Sequence, residues 1–139
     1  MLPNLRFILL SRRDLLGQAI SWARALQTSQ YRSTQTASQE PVFHAELVQK
    51  QLDALVRERA RWEMFFARTG MDPLRLEYET IVANPPHAVR QVADMMGVTL
   101  QRNPESISVA IQQQRDSTSF EWAVRFRSER GNPNTLDSV

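Results

Sequence analysis

The 139-residue sequence contains no cysteine. Disulfides, thiolate nucleophiles and thiolate metal sites are therefore excluded, and no metal is expected. Lysine is nearly absent too. Lys50 is the only one, and the rest of the 17 basic residues are arginine. Glycine occurs four times, at positions 17, 70, 97 and 131. A loop that cradles phosphate through converging backbone N–H groups needs a cluster of small residues, and these glycines form none. No apolar run approaches the 18 residues of a membrane-spanning helix. The opening MLPNLRFILL lacks the basic leader and small-residue cleavage site of a secretory signal. A cytoplasmic chain away from membranes is the expectation. A net charge of +2 gives little counterion-release affinity, so nucleic acid is not an expected partner.

What is present suits one domain with one modest core, since hydrophobic residues make up 42% of the chain. Residues 5–11, LRFILLS, form an apolar run of strand length and read as a short buried strand. Asp14 is a good helix N-cap, and the periodic pattern after it predicts a helix over 14–29. Leu15, Ala19, Trp22 and Leu26 share one face of that helix, and Leu16, Ile20 and Ala23 widen it. Residues 28–41 are polar and aperiodic and read as a loop. A second helix is predicted over 43–69, stopped by Gly70, with an apolar stripe through Leu47, Leu52, Leu55, Val56, Trp62, Phe65 and Phe66. Alternation of Leu74, Leu76 and Tyr78 with Arg75 and Glu77 predicts a strand over 74–78. Pro85 and Pro86 suit the first turn of a helix over 86–96, which Gly97 closes. Two further helices are expected over 105–114 and 119–129. The order of elements implies α/β, mostly helical, with a small parallel sheet. Two strands leave both edges and both faces needing partners.

The residues with chemistry to offer lie at the first strand-to-helix junction, SRRDLLGQAIS. A helix N-terminus favours an anion, because its free N–H groups and dipole both point at it. Arg12 and Arg13 add guanidinium forks suited to phosphate or carboxylate. Arginine excess also follows from a GC-rich coding source. Ser21 stands two turns beyond Asp14 on the same side, with Gly17 between them, where a missing side chain would let a ligand reach the backbone. The plainer alternative is that Arg13 pairs with a nearby carboxylate and Ser21 is a surface residue. His44, His87 and Glu40 are titratable, and each also fits an ordinary surface position.

RDLLGQAIS resembles the 3′-phosphate-binding segment of the sulfotransferases that use 3′-phosphoadenosine-5′-phosphosulfate. In that superfamily an arginine at a strand end and a serine eight positions on hold the donor's 3′-phosphate; Arg13 and Ser21 have that spacing. The wider text, SRRDLLGQAISWARALQT through PLRLEYETIVANPPHAVRQVADMMGV, most resembles the bacterial trehalose 2-sulfotransferase family. RDSTSFEWAVRF is similar to the superfamily's segment R-K-G-x-x-G-x-W-K-x-x-F, with Arg115, Trp122 and Phe126 at matching offsets and its glycines and lysines absent.

The resemblance implies part of a P-loop-type sulfotransferase fold, the C-terminal two-thirds. The front strand, 5′-phosphosulfate loop and general base of such enzymes have no counterpart in the text. It implies that Arg13 and Ser21 bind the donor, with Arg12, Arg115 and Trp122 assisting, and that Trp22, Arg24 and Gln27 face a sugar acceptor. The donor 3′-phosphoadenosine-5′-phosphosulfate is the implied co-substrate, and the catalytic group stays unassigned. The alternative function is a non-catalytic remnant that binds an anion or nucleotide, or only associates with itself. An unpaired strand edge at 5–11 makes a homodimer the expected assembly.

Overall fold

The computed structural model describes residues 4–29, 40–106 and 117–138. Contacts divide the chain into two units. The first is Met1–Arg13 with Met64–Ile111, and the second is Asp14–Glu63 with Gln112–Val139.

The first unit holds the sheet. Strand β1 (Ile8–Ser11) pairs in parallel with β2 (Leu74–Glu77), in a register that sets Ile8 against Leu74 and Ser11 against Glu77. Phe7 secures the entry to this pair. Its ring meets Phe65 and Phe66 edge-on, each at 5.6 Å, and its carbonyl accepts from the Leu74 N–H at 2.9 Å. Those two phenylalanines stand near the end of helix α2 (Ala45–Thr69). Gly70 then adopts φ +68°, and the chain turns towards β2.

The sheet departs from the sequence expectation in two ways. Tyr78 does not end the second strand; it begins a short helix, α3 (Tyr78–Ala83). The first strand is not buried on both faces, because Ile8 and Leu10 are exposed, Leu10 to 62%. An apolar run signals that a strand can be covered, not what covers it. Among the described residues nothing packs over these two side chains closely enough to bury them.

Asn84 serves two helices. Its N–H bonds back to the Thr80 carbonyl and ends α3, while its side chain accepts from the His87 N–H and starts α4 (Pro85–Met96). Pro85 and Pro86 fall in the first turn and Gly97 ends the helix in the left-handed region, as the sequence predicts. A single 3₁₀ turn, Pro104–Ser106, follows, tied to α4 by Arg90 and Glu105 at 2.5 Å. The helix expected over 105–114 falls from residue 107 onward outside the described residues.

The second unit is helical and contains the tightest packing. Helix α1 (Leu15–Thr28) and α5 (Ser117–Arg130) pack with most of α2 around Ala19, Ile20, Ala23, Val48, Leu55, Trp122 and Phe126. Alanines at 19 and 23 let the helix backbones approach closely. That close approach selects which face of α1 is buried. It is the face through Ala19, Ile20 and Ala23, while Trp22 and Leu26, placed on the apolar face by periodicity, are exposed. Within this unit Gln27 holds Val42 with a reciprocal pair of hydrogen bonds, both 2.8 Å, in which its amide behaves like a peptide group.

Candidate functional site

Parallel strands of an α/β sheet present their C-terminal ends to ligands, because the chain leaves each strand there for a helix. In the first unit both strands end at one point. Ser11 closes β1 and is followed by Arg12 and Arg13; Glu77 closes β2 and is followed by Tyr78 and Glu79. The register carries Ser11 directly against Glu77, and its hydroxyl reaches the Leu76 carbonyl at 3.5 Å.

Two arginines therefore meet two carboxylates. The Arg13 guanidinium donates to Glu77 Oε1, and the Arg13 backbone N–H donates to Glu79 Oε2 at 3.0 Å. Arg12 lies over the Tyr78 ring, 4.8 Å from its centroid, with Nε 3.8 Å from Glu79 Oε1. That separation is an ion pair and too long for a hydrogen bond, and Arg12 Nε is buried without an acceptor. The two pairs differ in exposure. The Arg12 and Glu79 side chains are 19% and 21% exposed, whereas Arg13 is 71% exposed. The hydrogen bond that Arg13 donates to Glu77, then the charge of Glu77, raises the Arg13 pKa above the ordinary arginine value, so the guanidinium is charged at every working pH. Of the two alternatives for Arg13 left open by the sequence, pairing with a nearby carboxylate is present, and the partner is Glu77. Spacing could not have found Glu77 or Glu79, because they are more than 60 residues away in the chain; the parallel register of β1 and β2 makes them neighbours.

Ser21 belongs to the second unit, as the seventh residue of α1, and is half-buried. The same helix explains Gly17. A Cβ on Gly17 would stand 2.3 Å from Asp14 Oδ2 and 2.8 Å from its Cγ. The Asp14 carboxylate fills that space because it caps the helix, accepting from the Gly17 N–H at 2.9 Å. The space read as an approach for a ligand is taken by the cap.

The remaining residues singled out by the sequence have these positions. Trp22 is 39% exposed. Arg24 donates to the Ser119 hydroxyl at 2.7 Å, bridging α1 and α5. Gln27 makes the paired bonds to Val42. Trp122 is a core residue, with Phe43 edge-on at 5.5 Å, and Phe126 is buried beside it in the same cluster. Arg115 lies outside the described residues. Glu40, His44 and His87 are exposed. The described residues contain no group of His, Asp and Glu that could hold a metal, and no helix among them is long and apolar enough to cross a membrane. A shallow groove of about 380 Å³ in the second unit is lined by charges of both signs, Glu46 and Asp53 with Lys50, Arg57 and Arg130.

An exposed arginine just beyond a strand end, followed at once by a capped helix, is the arrangement that the sequence resemblance attaches to sulfotransferases. Comparison with known families agrees. The Stf0 sulphotransferase family matches residues 2–129, and the chain belongs to that family. Two curated relatives carry the name trehalose 2-sulfotransferase. The protein from Mycobacterium tuberculosis (strain ATCC 35801 / TMC 107 / Erdman) is 28% identical over 125 residues, covering 88% of this chain and 46% of that enzyme. The protein from Mycolicibacterium smegmatis (strain ATCC 700084 / mc(2)155) is 24% identical over 120 residues, covering 85% of this chain and 44% of that enzyme. The chain thus spans just under half the length of the curated relatives it matches.

Proposed function

We propose that this chain binds the 3′-phosphate end of 3′-phosphoadenosine-5′-phosphosulfate, with Arg13 and Ser21 as the principal contacts and Arg12 and Arg115 assisting. The observation that carries this is the Arg13 guanidinium: exposed, permanently charged, at the end of β1 and one residue before the cap of α1, in a chain of the Stf0 family. The residues present fit a phosphate. They do not fit the sulfuryl end, since no glycine-rich loop exists in the sequence and Gly70 and Gly97 are spent on helix ends. Charge-assisted hydrogen bonds to a phosphate are worth about 1.5–3 kcal/mol each. Affinity for adenosine 3′,5′-bisphosphate should therefore be micromolar or weaker, and Arg13→Ala should reduce it about tenfold or more. Calorimetry that finds the same affinity for Arg13→Ala would overturn the reading.

The acceptor we infer is a sugar hydroxyl, by kinship with the two trehalose 2-sulfotransferases. Of Trp22, Arg24 and Gln27, Trp22 presents an exposed ring on which a sugar can stack, while Arg24 hydrogen-bonds to α5 and Gln27 to Val42. Sulfuryl transfer by the 139 residues alone is not expected. Binding energy at a remote phosphate raises turnover only where other groups meet the reacting atoms, and loss of one oxyanion donor typically costs about 10²–10³ in rate. A radiolabelled donor assay with trehalose tests this, and any turnover by the purified chain refutes it.

A second reading, self-association, is favoured by the exposed Ile8 and Leu10 on a strand with one edge that no strand among the described residues pairs. It expects a dimer in light scattering at micromolar concentration; a monomer there counts against it.

A further inference from the structure

The two carboxylates at the strand ends have different holds on the two arginines, and that difference assigns them different roles. Glu79 is fixed from two sides. It accepts the Arg13 backbone N–H at 3.0 Å and faces Arg12 Nε at 3.8 Å, with both side chains about four-fifths covered. Its position sets the turn that follows β1, and Arg12 is further restrained by the Tyr78 ring. Glu77 is held on the open side. Its partner Arg13 is 71% exposed, and water screens an exposed ion pair so that it holds only weakly. A phosphate brings more charge and more acceptor oxygens to the same fork than a carboxylate does. Glu77 also has a second neighbour to remain with, the Thr80 hydroxyl at 3.5 Å.

From this we infer that Glu77 is a resident competitor for the anion site: it occupies Arg13 in the ligand-free protein and must yield the guanidinium to an incoming phosphate, whereas Glu79 is a positioning residue that keeps the Arg12–Arg13 turn in place. The inference rests on the 3′-phosphate reading of Arg13. No bond is made or broken; one anion replaces another on the same cation. Glu77 thereby lowers the affinity of every anion that needs the Arg13 fork, by one common factor set by the Arg13–Glu77 pair.

The test is the opposite sign of two conservative substitutions two positions apart. Adenosine 3′,5′-bisphosphate is titrated by calorimetry into the full chain and into Glu77→Gln, Glu79→Gln, Arg13→Ala and Glu77→Gln/Arg13→Ala. Glu77→Gln should bind about fivefold tighter, the full worth of an exposed pair. Glu79→Gln should bind several-fold weaker, and the gain from Glu77→Gln should vanish in the Arg13→Ala background. Inorganic sulfate in place of the bisphosphate should bind more weakly throughout yet show the same fold gain in Glu77→Gln, because the displaced competitor is the same. Unchanged or weaker binding by Glu77→Gln would show that Glu77 positions Arg13 rather than competing for it, and would overturn the inference while leaving the phosphate reading intact. Wild-type binding that ignores Arg13→Ala would overturn the phosphate reading and this inference with it. So would an absence of binding in every variant. Circular dichroism of each variant checks folding, and Glu77→Asp, which retracts the carboxylate by one methylene, supplies a second variant expected to bind tighter than wild type but less so than Glu77→Gln.

Discussion

The two units handle charge and apolar surface in opposite ways. In the second, seven side chains from α1, α2 and α5 form one buried cluster, and polar groups such as Arg24 and Gln27 bond to neighbours within the unit. In the first, a two-stranded sheet leaves Ile8 and Leu10 exposed and gathers two arginines and two glutamates at its strand ends. Buried apolar surface therefore concentrates in the helical unit and clustered charge in the sheet unit. A sheet of two strands cannot bury much, but its C-terminal edge brings distant loops together, which a recognition site needs and a core does not.

Substitutions in the helical unit should break that contrast most visibly. Phe126→Ala, or Trp122→Ala, should destabilise by about 3–5 kcal/mol, since each empties a large volume in a close-packed cluster. Urea unfolding followed by circular dichroism reads the loss. A value under 1 kcal/mol for Trp122→Ala would show that its ring carries little of the packing in this cluster. Next in size is Gln27→Ala. It removes two hydrogen bonds at Val42, worth about 1 kcal/mol each, and should lower stability by about 1–2 kcal/mol in the same assay.

Gly17→Ala sharpens the comparison at the junction. Alanine gains about 1 kcal/mol of helix propensity, but its Cβ displaces the Asp14 carboxylate and forfeits a cap worth about 0.5–2 kcal/mol. The expected net change is within about 1 kcal/mol of zero. Asp14→Ala in the Gly17→Ala background should then cost almost nothing further. A full, undiminished loss there would mean that the cap survives the added methyl group. The smallest effect belongs to the sheet unit. Leu10→Lys should change stability by no more than about 0.5 kcal/mol, as for other exposed positions, while sedimentation shows any self-association weakened.

Much of this frame was legible in the residues. Asp14 as N-cap, Pro85 and Pro86 in a first turn, and Gly70 and Gly97 at helix ends all follow from local backbone chemistry, and local chemistry is what a sequence displays. Family membership was legible through RDLLGQAIS and LEYETIVANP. What escaped depends on contacts distant in the chain. The burial of Trp122 against Phe43, the exposed side of β1 and the pairing of Arg13 with Glu77 were each decided by which segments meet. Periodicity gave α1 an apolar face wide enough to include Trp22, but only the close approach of neighbouring helices at Ala19 and Ala23 chose the half that is buried. Tyr78 looked like the last residue of an alternating strand because alternation says nothing of where a helix begins.

The reciprocal bonds between Gln27 and Val42 have a topological consequence. A side-chain amide there stands in for a strand partner, so the chain is cinched at residues 27 and 42 whatever the length of the segment between them. Entropy of closure grows only logarithmically, by about 0.6 kcal/mol per doubling of a loop. The clasp thus uncouples loop length from the integrity of the helical unit. An insertion between residues 30 and 39 should leave the urea midpoint nearly unchanged in the wild type and lower it once Gln27 is replaced by alanine. The helical unit then depends on the two residues of the clasp and not on the span of chain they bracket.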